Sequence, residues 1–457
     1  MNKIINSLSQ TIFALSTIFG RSAVSIIRIS GRDAFKCLKE FGITKELKSR
    51  YCYFLPIKIN NEIIDNCLII VFQNPKSFTG EDLVELQLHG SKAIISEVLN
   101  YLSRIENYRM AEHGEFTRRA FLNGKLDLVQ AEGLLSVIHS ETKEQLRQAN
   151  NEYLGKSSEI FQGIRQNILE IFANCEALMD FPEDDIGESI EIIILQKLKE
   201  IKSQISEYLD DNRIGEKIKD GFKIAIVGEP NVGKSSLMNY LAKKPIAIVS
   251  DIPGTTRDLV RVSLDISGYA VELIDTAGIR ETEDKIESIG VNLAKNIIFE
   301  ADLILILVTK DNIDSYENLI ENFDEKKHVL IMNKVDLEKE ENWDENQKDL
   351  DNLEKDFIKI SVKNERNLDN IIEVIKSKIE NLASTNSSVI TSQRQRFALT
   401  KVYEGLIQMI ENFDNYQFID ILTEDIRTLV NHMNELIGDV TNDDILDELF
   451  FNFCIGK

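Results

Sequence analysis

The chain has 457 residues, 43% of them hydrophobic and 28% charged, which suits a globular protein of two or three domains with ample core. Its formal net charge of −23 argues against a surface that wraps nucleic acid by phosphate neutralisation alone, while leaving room for local basic patches or a partner that supplies the basic surface. Five cysteines (37, 52, 67, 175 and 454) are odd in number and form no Cys-x-x-Cys pair, which argues against a disulfide framework or zinc finger and for a reducing compartment.

The start, MNKIINSLSQTIFALSTIFGRSAV, is mildly apolar, but Ser, Thr and Gln interrupt it and no clear small-residue cleavage site follows. No stretch is long and apolar enough to span a bilayer, so the reading is a cytoplasmic protein. Up to about residue 120, short β-like runs (AVSIIRIS, NCLIIVF, LVELQLH) mix with helical stretches such as SKAIISEVLNYLSRI, which predicts an α/β or α+β domain. From about Lys125 the pattern is helical: Ile164, Ile168, Ile171, Cys175 and Leu178 form one stripe, and Ile194, Leu198, Ile201 and Ile205 another after a break at Pro182. At DGFKIAIVG the period changes. The apolar runs KIAIVG, VELIDTAG, DLILILVT, HVLIMNK and FIKISV, mostly separated by helical segments, predict a parallel sheet buried on both faces. Past the polar linker NLASTNSS, Leu422, Ile426, Leu429, Met433 and Leu436 restore helical spacing, and TNDD, beginning at Thr441, is a capping-box variant for a last helix. The expected organisation is therefore multidomain: residues 1–120; helices over 121–214; a P-loop α/β domain over 215–383, inserted into the helical domain; and the second helical part over 384–457.

GEPNVGKSS, Gly228 to Ser236, matches G-x-x-x-x-G-K-[ST] between a strand and a helical segment. Its glycines let backbone N–H groups curl around phosphates at a helix N-terminus. Asn231, Gly233, Lys234, Ser235 and Ser236 are the candidate phosphate residues, with Lys234 reaching the β- and γ-phosphates and the Ser235 hydroxyl on Mg²⁺. DTAG offers Asp275 to hold Mg²⁺ through water and the Gly278 N–H to sense a γ-phosphate. NKVD, with Asn333, Lys334 and Asp336, puts a carboxylate where guanine N1–H and its exocyclic amine can donate; adenine would leave it unpaired. SVK, starting at Ser361, occupies the loop that presents a backbone N–H to guanine O6, with Val362 in place of the commoner Ala. Four signals in this order predict a GTP-binding domain.

Between P-loop and DTAG, SDIPGTTRD can place the Thr256 hydroxyl on Mg²⁺. Ile279 stands where many small GTPases carry a water-orienting Gln. NVGKSS, DIPGTTRD and the missing Gln together resemble the GTPases that use K⁺ in place of an arginine finger. That resemblance implies a K⁺ shell from Asn231 and the backbone oxygens of Ser250, Ile252 and Thr255. The alternative is that Asn231 only fixes its loop and Arg257 acts as a cation in cis.

End to end, SIIRISG (25–31), SFTGEDLVELQLHG (77–90), GEFTRRAFLNGKLDLVQAE (114–132), DFPEDDI (180–186), the nucleotide motifs and the terminal FCIGK resemble the MnmE (TrmE) family of tRNA modification GTPases, within the TrmE-Era-EngA-like superfamily. The resemblance implies an N-terminal folate-binding and dimerisation domain and a helical domain interrupted by the GTPase domain. It implies GTP-dependent addition of a carboxymethylaminomethyl or aminomethyl group at C5 of the wobble uridine of certain tRNAs. The implied complex is a homodimer that joins the FAD-dependent partner MnmG (GidA) in a heterotetramer. The one-carbon donor would be 5-formyl- or methylene-tetrahydrofolate, used with glycine or ammonia.

Family folate contacts fall on Arg28, Glu85, Lys125 and Lys457, and the organiser of the hydrolytic water falls on Glu287. Read without the resemblance, these charges would be solvated surface residues. Cys454, followed by a flexible glycine and Lys457, is either a nucleophile in the modification chemistry or part of a Phe453-Cys454 cap on the helical core. FGRSAVS keeps Gly20 but has Ser22 and Ser25 where the family's Gly-rich start continues, so its approach to folate would differ. The competing function is a ribosome-assembly or RNA-binding GTPase switch. No G-x-x-G loop of a KH domain occurs to support it.

Overall fold

The computed structural model describes residues 9–180, 187–248, 261–275, 297–312, 328–337, 357–383, 389–413, 419–439 and 443–456. Two compact units emerge. One comprises Met1–Leu135, Asn151–Ile201 and Lys401–Lys457; the other comprises Ser136–Asn150 and Lys202–Thr400.

In the first unit, strands β1 (Thr11–Leu15), β2 (Ser22–Ser30), β3 (Cys52–Ile59), β4 (Glu62–Phe72), β5 (Leu83–Gly90) and β6 (Tyr108–Met110) form one sheet in the order β3-β4-β5-β2-β1-β6. All pairings are antiparallel except β1 with β6. Period-two alternation sends Ile27, Ile29, Val84, Leu86, Ile69 and Val71 into a core closed by α1 (Lys36–Glu40) and α2 (Lys92–Leu102). The expected α+β domain therefore forms. It gains β1 from the start of the chain, where a mildly apolar run is in fact a buried strand beside β2.

Helices α3 (Glu115–Leu122) and α4 (Leu128–His139) follow the sheet, and the chain continues through α5 (Lys143–Tyr153), α6 (Lys156–Asp180) and α7 (Gly187–Leu209). Ile164, Ile168, Ile171 and Cys175 on α6, and Ile194, Leu198, Ile201 and Ile205 on α7, are buried, as their 3.6-residue spacing requires. After α7 come α8 (Ile214–Asp220), α9 (Lys234–Ala242), α10 (Leu368–Ala383), α11 (Gln393–Glu411), α12 (Ile419–Ile437) and α13 (Asp443–Phe451). Helix α12 buries Leu422, Ile426, Leu429, Met433 and Leu436 and packs along α6, where Arg165 donates to Asn434 Oδ1 at 2.6 Å. The two stretches of helical domain thus close one core across the inserted segment. Thr441, the expected cap of α13, lies outside the described residues.

The second unit holds β7 (Phe222–Val227), β8 (Arg261–Ile266), β9 (Tyr269–Asp275), β10 (Leu303–Val308), β11 (His328–Met332) and β12 (Ile358–Lys359) in the order β12-β11-β10-β7-β9-β8. Every pairing is parallel except β8 with β9. All six residues of β10 are buried, because apolar side chains cover both faces: Ile224, Ile226, Leu305, Leu307 and Ile331 on one, Ala225, Val227, Ile304, Ile306 and Leu330 on the other. Strand β8 carries no long apolar run and belongs to an antiparallel edge hairpin. Among the described residues no helix is long and apolar enough to cross a membrane.

Candidate functional site

The turn from β7 into α9 holds the phosphate motif. Gly228 and Gly233 have positive φ (155° and 105°), and a Cβ on Gly233 would lie 2.2 Å from Asn333 Nδ2. Glycine is therefore required where this loop passes under the neighbouring one. Lys234 opens α9 and is 5% exposed; its Nζ donates to the carbonyl oxygens of Gly228 and Glu229, each at 2.7 Å. Burial pushes its pKa below the ordinary lysine value, against the pull of the Asp275 carboxylate. Ser235 Oγ donates to Oδ2 of Asp275, the buried last residue of β9, at 2.9 Å. Ser236 stands exposed on the first turn of α9, and Asn231 is exposed in the loop with a left-handed φ of 66°.

Asn333 ties three loops together. Its Nδ2 donates to the Val232 carbonyl at 2.8 Å, and its Oδ1 accepts from the Val362 N–H at 3.2 Å. Lys334 beside it is exposed at φ 65°. Fully buried Ser361 donates from Oγ to Asp336 Oδ1 at 2.6 Å and accepts from the Asn364 N–H at 3.2 Å. The P-loop, NKVD and SVK, separated by 101 residues between Val232 and Asn333 and by 29 between Asn333 and Val362, thereby meet in one place. Ser250, Ile252, Thr255, Thr256, Arg257, Gly278, Ile279 and Glu287 lie outside the described residues.

In the other unit, Arg28 on β2 faces Glu85 on β5 as a direct cross-strand pair. Nε and Nη2 both donate to Glu85 Oε1, at 3.1 and 2.9 Å, so Nη1 and Oε2 take no partner among the described residues. The guanidinium also lies 5.5 Å from the Phe78 ring centroid and 5.7 Å from that of Phe116, which fixes its plane. Lys125 is exposed with its Cε 3.2 Å from where a Cβ on Gly80 would stand, and Asn123 Nδ2 donates to the Thr79 carbonyl at 2.7 Å beside it.

The tail is anchored on both sides of Cys454. Phe453 is buried against Phe450, ring centroids 5.8 Å apart, and its carbonyl oxygen lies 3.0 Å from His113 Nδ1. Ile455 forms an antiparallel bridge with His113, and the Gly456 carbonyl accepts from Ser16 Oγ at 2.9 Å. Gly456 reads as flexible in sequence. In the fold it is buried at φ 98°, and a Cβ there would lie 2.3 Å from the Leu15 carbonyl oxygen. Cys454 between these anchors is exposed, so the aromatic residue alone caps the helices. Lys457 lies outside the described residues.

Sequence reasoning missed the charged cluster behind this region. Arg119 is buried and donates to both Glu81 oxygens (3.1 and 3.0 Å), to Glu115 Oε1 and to the Gln10 carbonyl (each 3.0 Å). Arg109 donates to both Glu115 oxygens, at 2.7 and 2.6 Å. Burial acts to raise the Glu115 pKa. Hydrogen bonds from Arg109 and the Glu112 N–H, with the charges of Arg119 and Arg109, outweigh it and hold Glu115 below the usual carboxylate range. The Glu115–Arg119 spacing of four in a helix was the one local clue. Ser30 Oγ bonds both Thr79 Oγ1 (2.7 Å) and Glu81 Oε2 (2.8 Å), so the cluster also holds the loop beside Lys125.

Residues 128–454 match the family model described as the MnmE helical domain, and residues 11–125 match that of the GTP-binding protein TrmE N-terminus. The chain is similar to a tRNA modification GTPase MnmE of Wolbachia sp. subsp. Brugia malayi (strain TRS), 40% identical over 452 residues that cover 98% of this chain and 99% of that protein. It is likewise similar to a tRNA modification GTPase MnmE of Rickettsia prowazekii (strain Madrid E), 42% identical over 454 residues, 98% of this chain and 100% of that one.

Proposed function

The chain belongs to the MnmE family of tRNA modification GTPases, and from that premise we propose that it hydrolyses GTP in order to alter certain tRNAs at C5 of the wobble uridine. The observation that carries the nucleotide half is Asn333, which joins the Val232 carbonyl of the P-loop to the Val362 N–H of the guanine loop. One amide side chain thereby couples the place where phosphates would bind to the place where the base would be read. Asp336 would accept from guanine, with Ser361 orienting its carboxylate.

Mg²⁺ fits the residues present: a hydroxyl and a carboxylate, Ser235 and Asp275, already share a hydrogen bond, with Thr256 proposed to complete the set. The ion would neutralise charge on the phosphate oxygens, and Lys234 would exchange its loop carbonyls for those oxygens. The Gly278 N–H would sense the γ-phosphate. K⁺ is proposed on Asn231 and the backbone oxygens of Ser250, Ile252 and Thr255, with Glu287 organising water.

For the modification half, a tetrahydrofolate derivative is proposed on Arg28, Glu85, Lys125 and Lys457. The donor and acceptor that Arg28 and Glu85 leave unused suit the edge of a pterin-like ring. Cys454 stands exposed on a tail pinned to Ser16 and His113, and His113 precedes by three residues the Phe116 that touches Arg28. The reading includes residues 1–120, 121–214, 215–383 and 384–457 as domains, a cytoplasmic homodimer, and a complex with MnmG, which alone would carry FAD.

The test is the nucleoside content of tRNA from cells lacking this protein, digested and quantified by mass spectrometry. Wild type should restore the C5-modified uridine. Cys454→Ser should turn over GTP and restore none, and Lys234→Ala should do neither. If wild type restores nothing with its partner present, the reading fails.

A further inference from the structure

A chain of net charge −23 that handles RNA needs a local place for phosphates. We propose that the cluster Lys45, Lys48, Arg50, Tyr51, Tyr53 and Lys76, on the loop leading into β3 and the turn beside it, is an RNA-binding surface; this rests on the tRNA-modification reading. The four cations are exposed, and among the described residues none has a carboxylate within ion-pair distance. The groups are held together rather than scattered. Lys48 Nζ lies 4.3 Å from the Tyr51 ring centroid and donates to its hydroxyl at 3.0 Å; Lys45 Nζ lies 5.5 Å from the Tyr53 ring. The Tyr53 hydroxyl accepts from the Lys48 N–H at 3.0 Å, and Arg50 Nη2 donates to the Lys76 carbonyl at 2.9 Å.

The chemistry favours RNA over other polyanions. Ammonium and guanidinium groups neutralise a phosphate backbone, and rings beside them offer stacking faces to unpaired bases. Tyr51 is 52% exposed, so part of its ring can serve as such a face beside Lys48. Between Lys36 and Lys58 the basic residues Lys36, Lys39, Lys45, Lys48, Arg50 and Lys58 meet only Glu40 and Glu46, so the segment opposes the charge of the whole chain.

The experiment measures binding of the full-length protein to an unmodified tRNA transcript by fluorescence anisotropy across a salt series, with GTP turnover and circular dichroism as controls. Lys45→Gln, Lys48→Gln and Arg50→Gln together should weaken binding at least about tenfold at low salt. They should also flatten the plot of log affinity against log salt by about 0.7–0.9 for each cation removed, with turnover unchanged. Tyr51→Ala should weaken binding several-fold with the slope intact. Wild-type affinity and slope in the triple variant would overturn the proposal, leaving the lysines as guards of the β3 edge. So would a wild type that binds no transcript, or a loss confined to phosphatidylserine vesicles or polyglutamate. Any of these outcomes, with wild type still restoring modified uridine in cells, leaves the tRNA-modification reading standing; failure of that restoration removes the reading itself.

Discussion

Arg119 in the N-terminal sheet unit and Lys234 in the nucleotide unit are both long cations withdrawn from water, at 0% and 5% exposure. Their partners differ in kind. Arg119 meets the carboxylates of Glu81 and Glu115 and the Gln10 carbonyl, and Arg109 shares Glu115 with it. Lys234 has two neutral carbonyls at hydrogen-bond distance, and the Asp275 carboxylate acts on its charge. A buried cation whose charge is met in full is part of the scaffold. One held mainly by neutral dipoles keeps most of its charge available to an incoming anion; burial, opposed by the Asp275 carboxylate, is what depresses its pKa.

The contrast breaks first at Arg119. Arg119→Met should destabilise the N-terminal region by about 3 kcal/mol, read by denaturant unfolding, because half-buried Glu81 loses its ion-pair partner and buried Glu115 is left with Arg109 alone. If Arg119→Met unfolds like wild type, the cluster is not the scaffold described. Lys234→Ala should behave in the opposite way. Its unfolding free energy should stay within about 1 kcal/mol of wild type, while kcat/KM for GTP falls by about 100-fold or more. A variant that keeps turnover would show that the lysine does not meet phosphate.

Much of this division is legible in the sequence. The continuous apolar runs of β7, β9, β10 and β11 announce a sheet covered on both faces, and the P-loop sits where its chemistry needs it, between strand and helix. What was not legible is non-local. Arg119 reads as a surface charge because Glu81 and Gln10 lie 38 and 109 residues away. Strand β8 has half-buried alternation that a helix or loop could equally show, and only its hairpin partner β9 makes it a strand. The stretch Ser136–Asn150 reads as one more piece of helical domain. In the fold, Gln145 Nε2 donates to the Lys219 carbonyl at 2.9 Å and Gln148 Nε2 to the Gly215 carbonyl at 2.7 Å, contacts that no periodicity encodes.

Two smaller effects sharpen the contrast. Asp336→Asn should cost about 1–3 kcal/mol of GTP affinity and favour xanthine nucleotide, whose C2 oxygen can accept from the new amide; competition binding reads both. An unchanged preference for guanine would mean that Asp336 does not face the base. Glu115 has a folded-state pKa held below its unfolded value, so it contributes stability above the usual carboxylate pKa that is lost as pH falls through the folded one. Glu115→Gln should therefore lower stability at neutral pH and reduce its decline on acidification, followed as unfolding midpoints from pH 7 downward. An equally steep acid decline in the variant would assign the effect to other carboxylates.

Buried Phe453 and close-packed Gly456 also act as a two-point gauge for the residues between them. In extended chain each added residue advances the path by about 3.3 Å and turns the next side chain to the opposite face. One residue inserted after Phe453 would force a choice: release Gly456 from the Leu15 carbonyl, or bulge the pairing with His113. Deleting one residue between them would bring Lys457 to the slot that admits no Cβ. The length of this segment is therefore as constrained as its composition, and changes of length here should be tolerated far less than the exchange of exposed Phe451 or Asn452 for other residues.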